Sequence, residues 1–126
     1  MIGTLECTVL DCPDPRRLAT FYQALLGGEV DRPDPRWTAS DTWTTLHTPT
    51  GPVLCFQAVA CHRPPRWPDP AHPQQAHLDI FVPALEAAHL EVLALGATAL
   101  DEGVDTRPWR VYADPAGHPF CLVGPA

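Results

Sequence analysis

A chain of 126 residues carrying 15 acidic and 8 basic side chains, with a net charge of −7, can bury one shared core but not two independent ones. The basic residues are all arginine and form no stripe that could follow a phosphate backbone, so nucleic acid is not an expected partner. No apolar run approaches the roughly 18 residues of a membrane span, so no membrane is expected either. The opening residues, Met1 to Glu6, lack the basic-then-apolar order of a signal peptide. Five cysteines without a CxxC pair read as reduced thiols in a cytoplasm.

In chain order, residues 3–10 are β-prone and read as a strand. Asp14 offers an N-cap with Pro15 at the first helical position. Leu18, Phe21, Tyr22, Leu25 and Leu26 then recur at steps of three and four, and Gly27-Gly28 stops the helix. Strands are expected near 28–32, 43–48 and 52–60. Prolines at 33–35 and 64–73 stiffen two loops, the second marking a join. Beyond it the same order returns, with a strand at 76–82 and a helix over 83–95 that carries Leu85, Ala88, Val92 and Leu95 on one face. Strands near 97–101, 108–113 and 119–123 complete the pattern.

The chain also repeats a motif. Thr48-Pro49-Thr50-Gly51, followed by Cys55, returns 66 positions later as Asp114-Pro115-Ala116-Gly117, followed by Cys121. A Pro-x-Gly turn feeding a strand explains both copies. Such a repeat implies two similar supersecondary units, at about residues 3–60 and 74–124, within one domain spanning 1–126. The expected fold class is α+β, two βαβββ units forming an eight-stranded curved sheet backed by two helices.

The paired βαβββ pattern, Phe21-Tyr22 ahead of Leu26-Gly27, and the closing Asp114-Pro115-Ala116-Gly117-His118-Pro119-Phe120 resemble the vicinal oxygen chelate superfamily. Within it, Asp11-Cys12-Pro13-Asp14-Pro15, Phe56-Gln57, His77-Leu78-Asp79 and Phe120-Cys121-Leu122 are similar to small glyoxalase-like domains common in actinobacteria. The resemblance implies a glyoxalase/bleomycin-resistance/dioxygenase-like fold, a homodimer, and ligands for a divalent metal on the first, fourth, fifth and eighth strands. Those places fall on Cys7, Cys55, His77 and Cys121. Only His77 keeps the family's residue type, and no carboxylate stands at 55 or 121.

The expectation is therefore no metal and no cofactor, with the thiols acting as packing groups. The alternative is that Cys7, Cys55, His77 and Cys121 form a Cys3His centre for a divalent metal such as zinc or iron. His77 and Asp79 lie two apart on a strand and so share a face. With Asp11 and Gln57 they form a candidate polar ligand cluster in which His77 and Asp79 are the catalytic candidates. Trp43 and Trp109 are candidate aromatic walls. His47 can face either way, and His62, His72, His89 and His118 read as solvated.

These residues point to a cytoplasmic protein that binds a small organic molecule, sequestering it or catalysing a lyase- or isomerase-type step. The alternatives are a metal-dependent lyase or dioxygenase and a non-catalytic interaction module.

Overall fold

The computed structural model describes residues 1–103 and 107–125. The chain divides into two compact units, Met1–His62 and Arg63–Ala126. The first holds β1 (Thr8–Cys12), α1 (Pro15–Leu26), β2 (Glu29–Val30), β3 (Trp43–His47) and β4 (Val53–Ala58). Its sheet order is β1-β4-β3-β2, with β1 parallel to β4 and the other pairs antiparallel. The second holds β5 (Leu78–Phe81), α2 (Leu85–Ala94), β6 (Thr98–Asp101), β7 (Trp109–Ala113) and β8 (Pro119–Val123). Its order is β5-β8-β7-β6, with β5 parallel to β8. Two four-stranded sheets with two helices thus realise the paired βαβββ pattern.

Helix α1 starts where the sequence indicates. Asp14 is extended (φ −136°), its side chain accepts from the Arg17 amide at 3.1 Å, and Pro15 follows. Gly27 closes the helix at φ 74°, its N–H donating to Gln23 O. At Gly28 (φ 97°), a Cβ would stand 2.2 Å from the His47 carbonyl oxygen, so only glycine lets β2 approach β3 there. The helix buries Leu18, Ala19, Phe21 and Tyr22. Tyr22 stacks on Phe56 of β4 with ring centroids 5.9 Å apart.

Strands β4 and β8 are each paired parallel to one neighbour and antiparallel to the other. Thr48 and Asp114 make the same turn ahead of them. The Gly51 amide donates to Thr48 O at 3.2 Å and the Gly117 amide to Asp114 O at 2.9 Å. Cys55 pairs with Val9 and Thr45, and Cys121 with Asp79 and Val111. The two cysteines therefore hold the same register place, each in its own unit.

Three differences from the expected elements have physical causes. Strand β1 begins at Thr8, because β4 begins only at Val53, after the Gly51 turn, and its register with β1 opens at Thr8–Leu54. Helix α2 is shorter than 83–95, since Ala84 is extended (φ −138°) and has no side-chain cap to offer. Leu95, expected on its apolar face, is exposed, and only Val92 of this helix is buried. His89, read as solvated, is instead tucked between helix and sheet, its Nδ1 2.8 Å from the Tyr112 hydroxyl. That hydroxyl belongs to β7, a strand that helix periodicity alone does not see.

Asp114 anchors the second turn. It is buried, and its Oδ1 accepts from the amides of Ala116 and His118 at 2.8 and 3.0 Å. Truncation to alanine strands both donors, and leaving a buried donor unpaired costs about 1–3 kcal/mol. Asp114→Ala should thus lower the urea midpoint by an amount corresponding to about 2 kcal/mol, and Asp114→Asn, which keeps an acceptor oxygen, by clearly less. Equal losses in the two variants would show that the acceptor is not what matters.

Candidate functional site

Side chains alternate between the two faces of a strand. In β8, Phe120 and Leu122 are buried on the helix side, so Pro119, Cys121 and Val123 occupy the face turned away from α2, called the open face below. The row through Cys121 runs Asp79–Cys121–Val111 across β5, β8 and β7. His77 lies just ahead of β5, on the face of Asp79. Its Nε2 stands 3.3 Å from Asp79 Oδ1, and the two side chains are 43% and 64% exposed. Ligand atoms of His77, Asp79 and Cys121 all lie within 4.8 Å of one another. Burial first, then the negative charge of Asp79 and the hydrogen bond the thiol gives it, push the Cys121 thiol up to about 11. At neutral pH it is a thiol and a weak donor, not a nucleophile.

The first unit builds a different surface at the same register. Cys55 is fully buried, and its thiol is pushed up to about 12, first by burial and then by a hydrogen bond with Cys7. One row along, Asp11, Gln57 and Trp43 stand side by side on β1, β4 and β3. Asp11 and Gln57 are exposed, whereas Trp43 is half-buried with its Nε1 buried and unpartnered among the described residues.

His47 faces away from α1, alternating with Leu46, and is covered by the segment 31–38. Its Nε2 lies 3.1 Å from Asp34 Oδ2. The Arg36 guanidinium clamps Asp34 through Nε at 3.0 Å and Nη2 at 2.7 Å, reaches Glu6 at 2.9 Å, and lies 4.2 Å over the Trp37 ring. The Arg36 hydrogen bonds, with a lesser one from His47, hold the Asp34 carboxyl well below the usual carboxylate range. This network pins the loop and leaves beside it a cleft of about 380 Å³ lined by Asp31, Arg32, Trp37 and Thr45 among others.

The sequence-derived candidates come from both units. Asp11, Gln57 and Trp43 share a row in the first. His77 and Asp79 meet in the second, joined there by Cys121, with Trp109 on the same face one row on. Of the alternative metal set, Cys7 and Cys55 belong to the first unit and His77 and Cys121 to the second. Asp79, absent from that set, is the third convergent donor. One nitrogen, one oxygen and one sulfur at this spacing fit a borderline ion such as zinc with a fourth position open, given bonds of about 2.0–2.3 Å. Phe81, Arg107 and Asp34 were not singled out from sequence. For Phe81 a signal existed, since it lies two residues beyond Asp79 and must share its face.

A family model described as a glyoxalase-like domain matches residues 7–123. The chain belongs to the glyoxalase-like domain family. Its fold is shared with solved members of the wider glyoxalase/bleomycin-resistance group, the vicinal oxygen chelate superfamily. One neighbour is a glyoxalase/bleomycin resistance protein/dioxygenase family enzyme from Burkholderia phytofirmans PsJN, at 17% identity, TM-score 0.70, with 97% of this chain and 98% of that one covered. Another is the fosfomycin resistance protein FosX of Listeria monocytogenes, at 15% identity and TM-score 0.70, covering 100% and 96%. A point mutant of that FosX, complexed with Mn(II) and 1S,2S-dihydroxypropylphosphonic acid, aligns at 16% identity and TM-score 0.72 over 100% and 95%. No curated protein sequence matches the chain.

Because Asp79 raises the Cys121 pKa, removing its charge should lower it. In protein treated with a chelator, iodoacetamide should alkylate Cys121 slowly at pH 8 and faster as pH climbs toward 11. Asp79→Asn should speed the pH 8 reaction several-fold, read by peptide mass spectrometry. An unchanged rate would separate the two side chains electrostatically.

Proposed function

We propose that this glyoxalase-like protein binds a small organic molecule on the open face of its second unit, through His77, Asp79 and Cys121. The observation that carries this reading is the convergence of three different polar groups on a solvent-reachable sheet face, where a purely structural network would be buried. The chemistry available there is proton transfer. With Asp79 beside Nε2, His77 can take a proton from an acidic carbon or hydroxyl of the bound molecule and return it at a neighbouring atom, with Asp79 stabilising the charged ring. That is the core of a lyase- or isomerase-type step. If no such proton is offered, the same contacts sequester the molecule. Asp11, Gln57 and Trp43 are proposed as ligand contacts of the first unit, and Trp109 as one of the second.

The protein is proposed to act as a homodimer in the cytoplasm. Five free cysteines suit a reducing compartment. Among the described residues no helix is long and apolar enough to cross a membrane.

The donor geometry favours a second reading, a metal-dependent lyase or dioxygenase. His77, Asp79 and Cys121 would hold the ion, which would polarise an oxygen of the bound molecule as a Lewis acid. The complex of the related FosX mutant with Mn(II) supports it. Against it stands the protonated Cys121 thiol, which must lose its proton to bind.

A thermal-shift screen of small hydroxy acids and phosphonates, run with and without added zinc, tests both readings. A true ligand should stabilise the parent. His77→Ala and Asp79→Ala should each weaken it about tenfold or more, since a charged hydrogen bond contributes about 1.5–3 kcal/mol, with circular dichroism unchanged. Ligands that stabilise all three proteins alike would move the site elsewhere. Untagged protein should carry well under one equivalent of transition metal. A stoichiometric signal lost in Cys121→Ser would establish the metal reading instead.

A further inference from the structure

One register step beyond the polar row, the open face of the second unit changes character. The row Phe81–Val123–Trp109 crosses β5, β8 and β7, and within it Phe81 is 68% and Trp109 42% exposed. The same row of the first unit is Asp11–Gln57–Trp43. The two repeats have thus diverged at this place, one polar, the other apolar and left open to water. Exposing two large aromatic side chains in one row of a sheet face marks a contact surface.

The shape of the row narrows the occupant. Phe81 and Trp109 stand two strand spacings apart, roughly 10 Å between their backbones, with the smaller Val123 between them. A flat ring laid on Val123 meets an aromatic wall on either side. Trp109 is held in place, since the Arg107 guanidinium lies 5.0 Å from its ring centroid and Arg107 Nε donates to the Trp109 carbonyl at 3.2 Å. Arg107 is in turn fixed by Asp101 at 2.7 Å. Two residues along a strand span about 7 Å, so the ring would lie about that far from Asp79 and Cys121.

We propose that the ligand is bipartite: a polar, hydrogen-bonding head at His77, Asp79 and Cys121, joined by a short spacer to a planar apolar group seated on Val123 between Phe81 and Trp109. This rests on the proposed function and names its ligand class, with Phe81 as the specificity-determining residue. Continuity with the polar cluster selects a small molecule over a protein partner, because three side chains bordered at once by a polar row are too small a patch for a stable interface.

Lactate and 3-phenyllactate share a 2-hydroxycarboxylate head and differ by the ring, so calorimetric titration of both separates head from tail. The parent should bind 3-phenyllactate at least about tenfold tighter than lactate. Phe81→Ala, at an exposed position and with its circular dichroism checked against the parent, should collapse that ratio toward one while leaving lactate, which has no ring to reach it, unchanged. His77→Ala should weaken both acids in equal proportion. Equal affinity in the parent, or an undiminished ratio in Phe81→Ala, overturns the bipartite ligand and leaves the polar site standing. Lactate binding untouched by His77→Ala overturns the polar site itself, and binding of neither acid overturns both. A change from dimer to monomer in Phe81→Ala by sedimentation assigns the row to a second copy and also overturns the proposal.

Discussion

Each unit depends on one constraint, the alternation of side chains along a central strand that is hydrogen-bonded on both edges. Strands β4 and β8 cannot slip against their neighbours without carrying buried residues to the wrong face. In β4, Phe56 stacks on Tyr22 of the helix, and in β8, Phe120 stacks on Tyr112 of the neighbouring strand at 5.5 Å. Those contacts fix the phase. Once Phe120 is committed to the core, Cys121 and Val123 are committed to the opposite face, and so are Asp79 and Phe81 across the ladder. The chemistry of the open face is therefore set by packing on the hidden one.

The parts of the fold visible in the chain are those decided locally. Asp14-Pro15 announces a helix because a capping carboxylate and a fixed φ act within three residues. The repeated Pro-x-Gly turn announces β4 and β8 because the hydrogen bonds that close it span only a few positions. Of the site, the pairing of His77 with Asp79 was visible for the same reason, since period two needs no tertiary knowledge. Asp34, in a proline-bearing loop with no periodic signal, lies 13 residues from His47 on β3, and only the folded chain joins them. His89 and Tyr112 lie 23 apart. There, helix periodicity alone suggests a solvated ring.

The two units show how one scaffold supports two surfaces. Their strand orders match, and Cys55 and Cys121 occupy matching places, yet the thiols have opposite company. Cys55 is sealed under a loop pinned by Arg36, Asp34 and His47, and its partner is another thiol. Cys121 faces a carboxylate and an imidazole within reach of solvent. The backbone hydrogen bonds of the two ladders match, whereas the side chains of the faces turned away from the helices differ, because few core contacts run through them.

That contrast explains why the family assignment and the chemical assignment differ in strength. Family membership rests on a pattern spread over residues 7–123. The chemistry rests on a few side chains, and a fold hosts many activities through such changes. Here cysteine stands where the resemblance implies a histidine or carboxylate ligand, and an aspartate two residues after His77 fills the space beside it. On the edge strand β5, Asp79 offers an oxygen donor beside His77 and raises the Cys121 pKa. The thiol at the centre of this row is thereby held protonated at neutral pH, so the proposed acid–base chemistry would need no change in the resting state, whereas metal binding would first require a proton to leave.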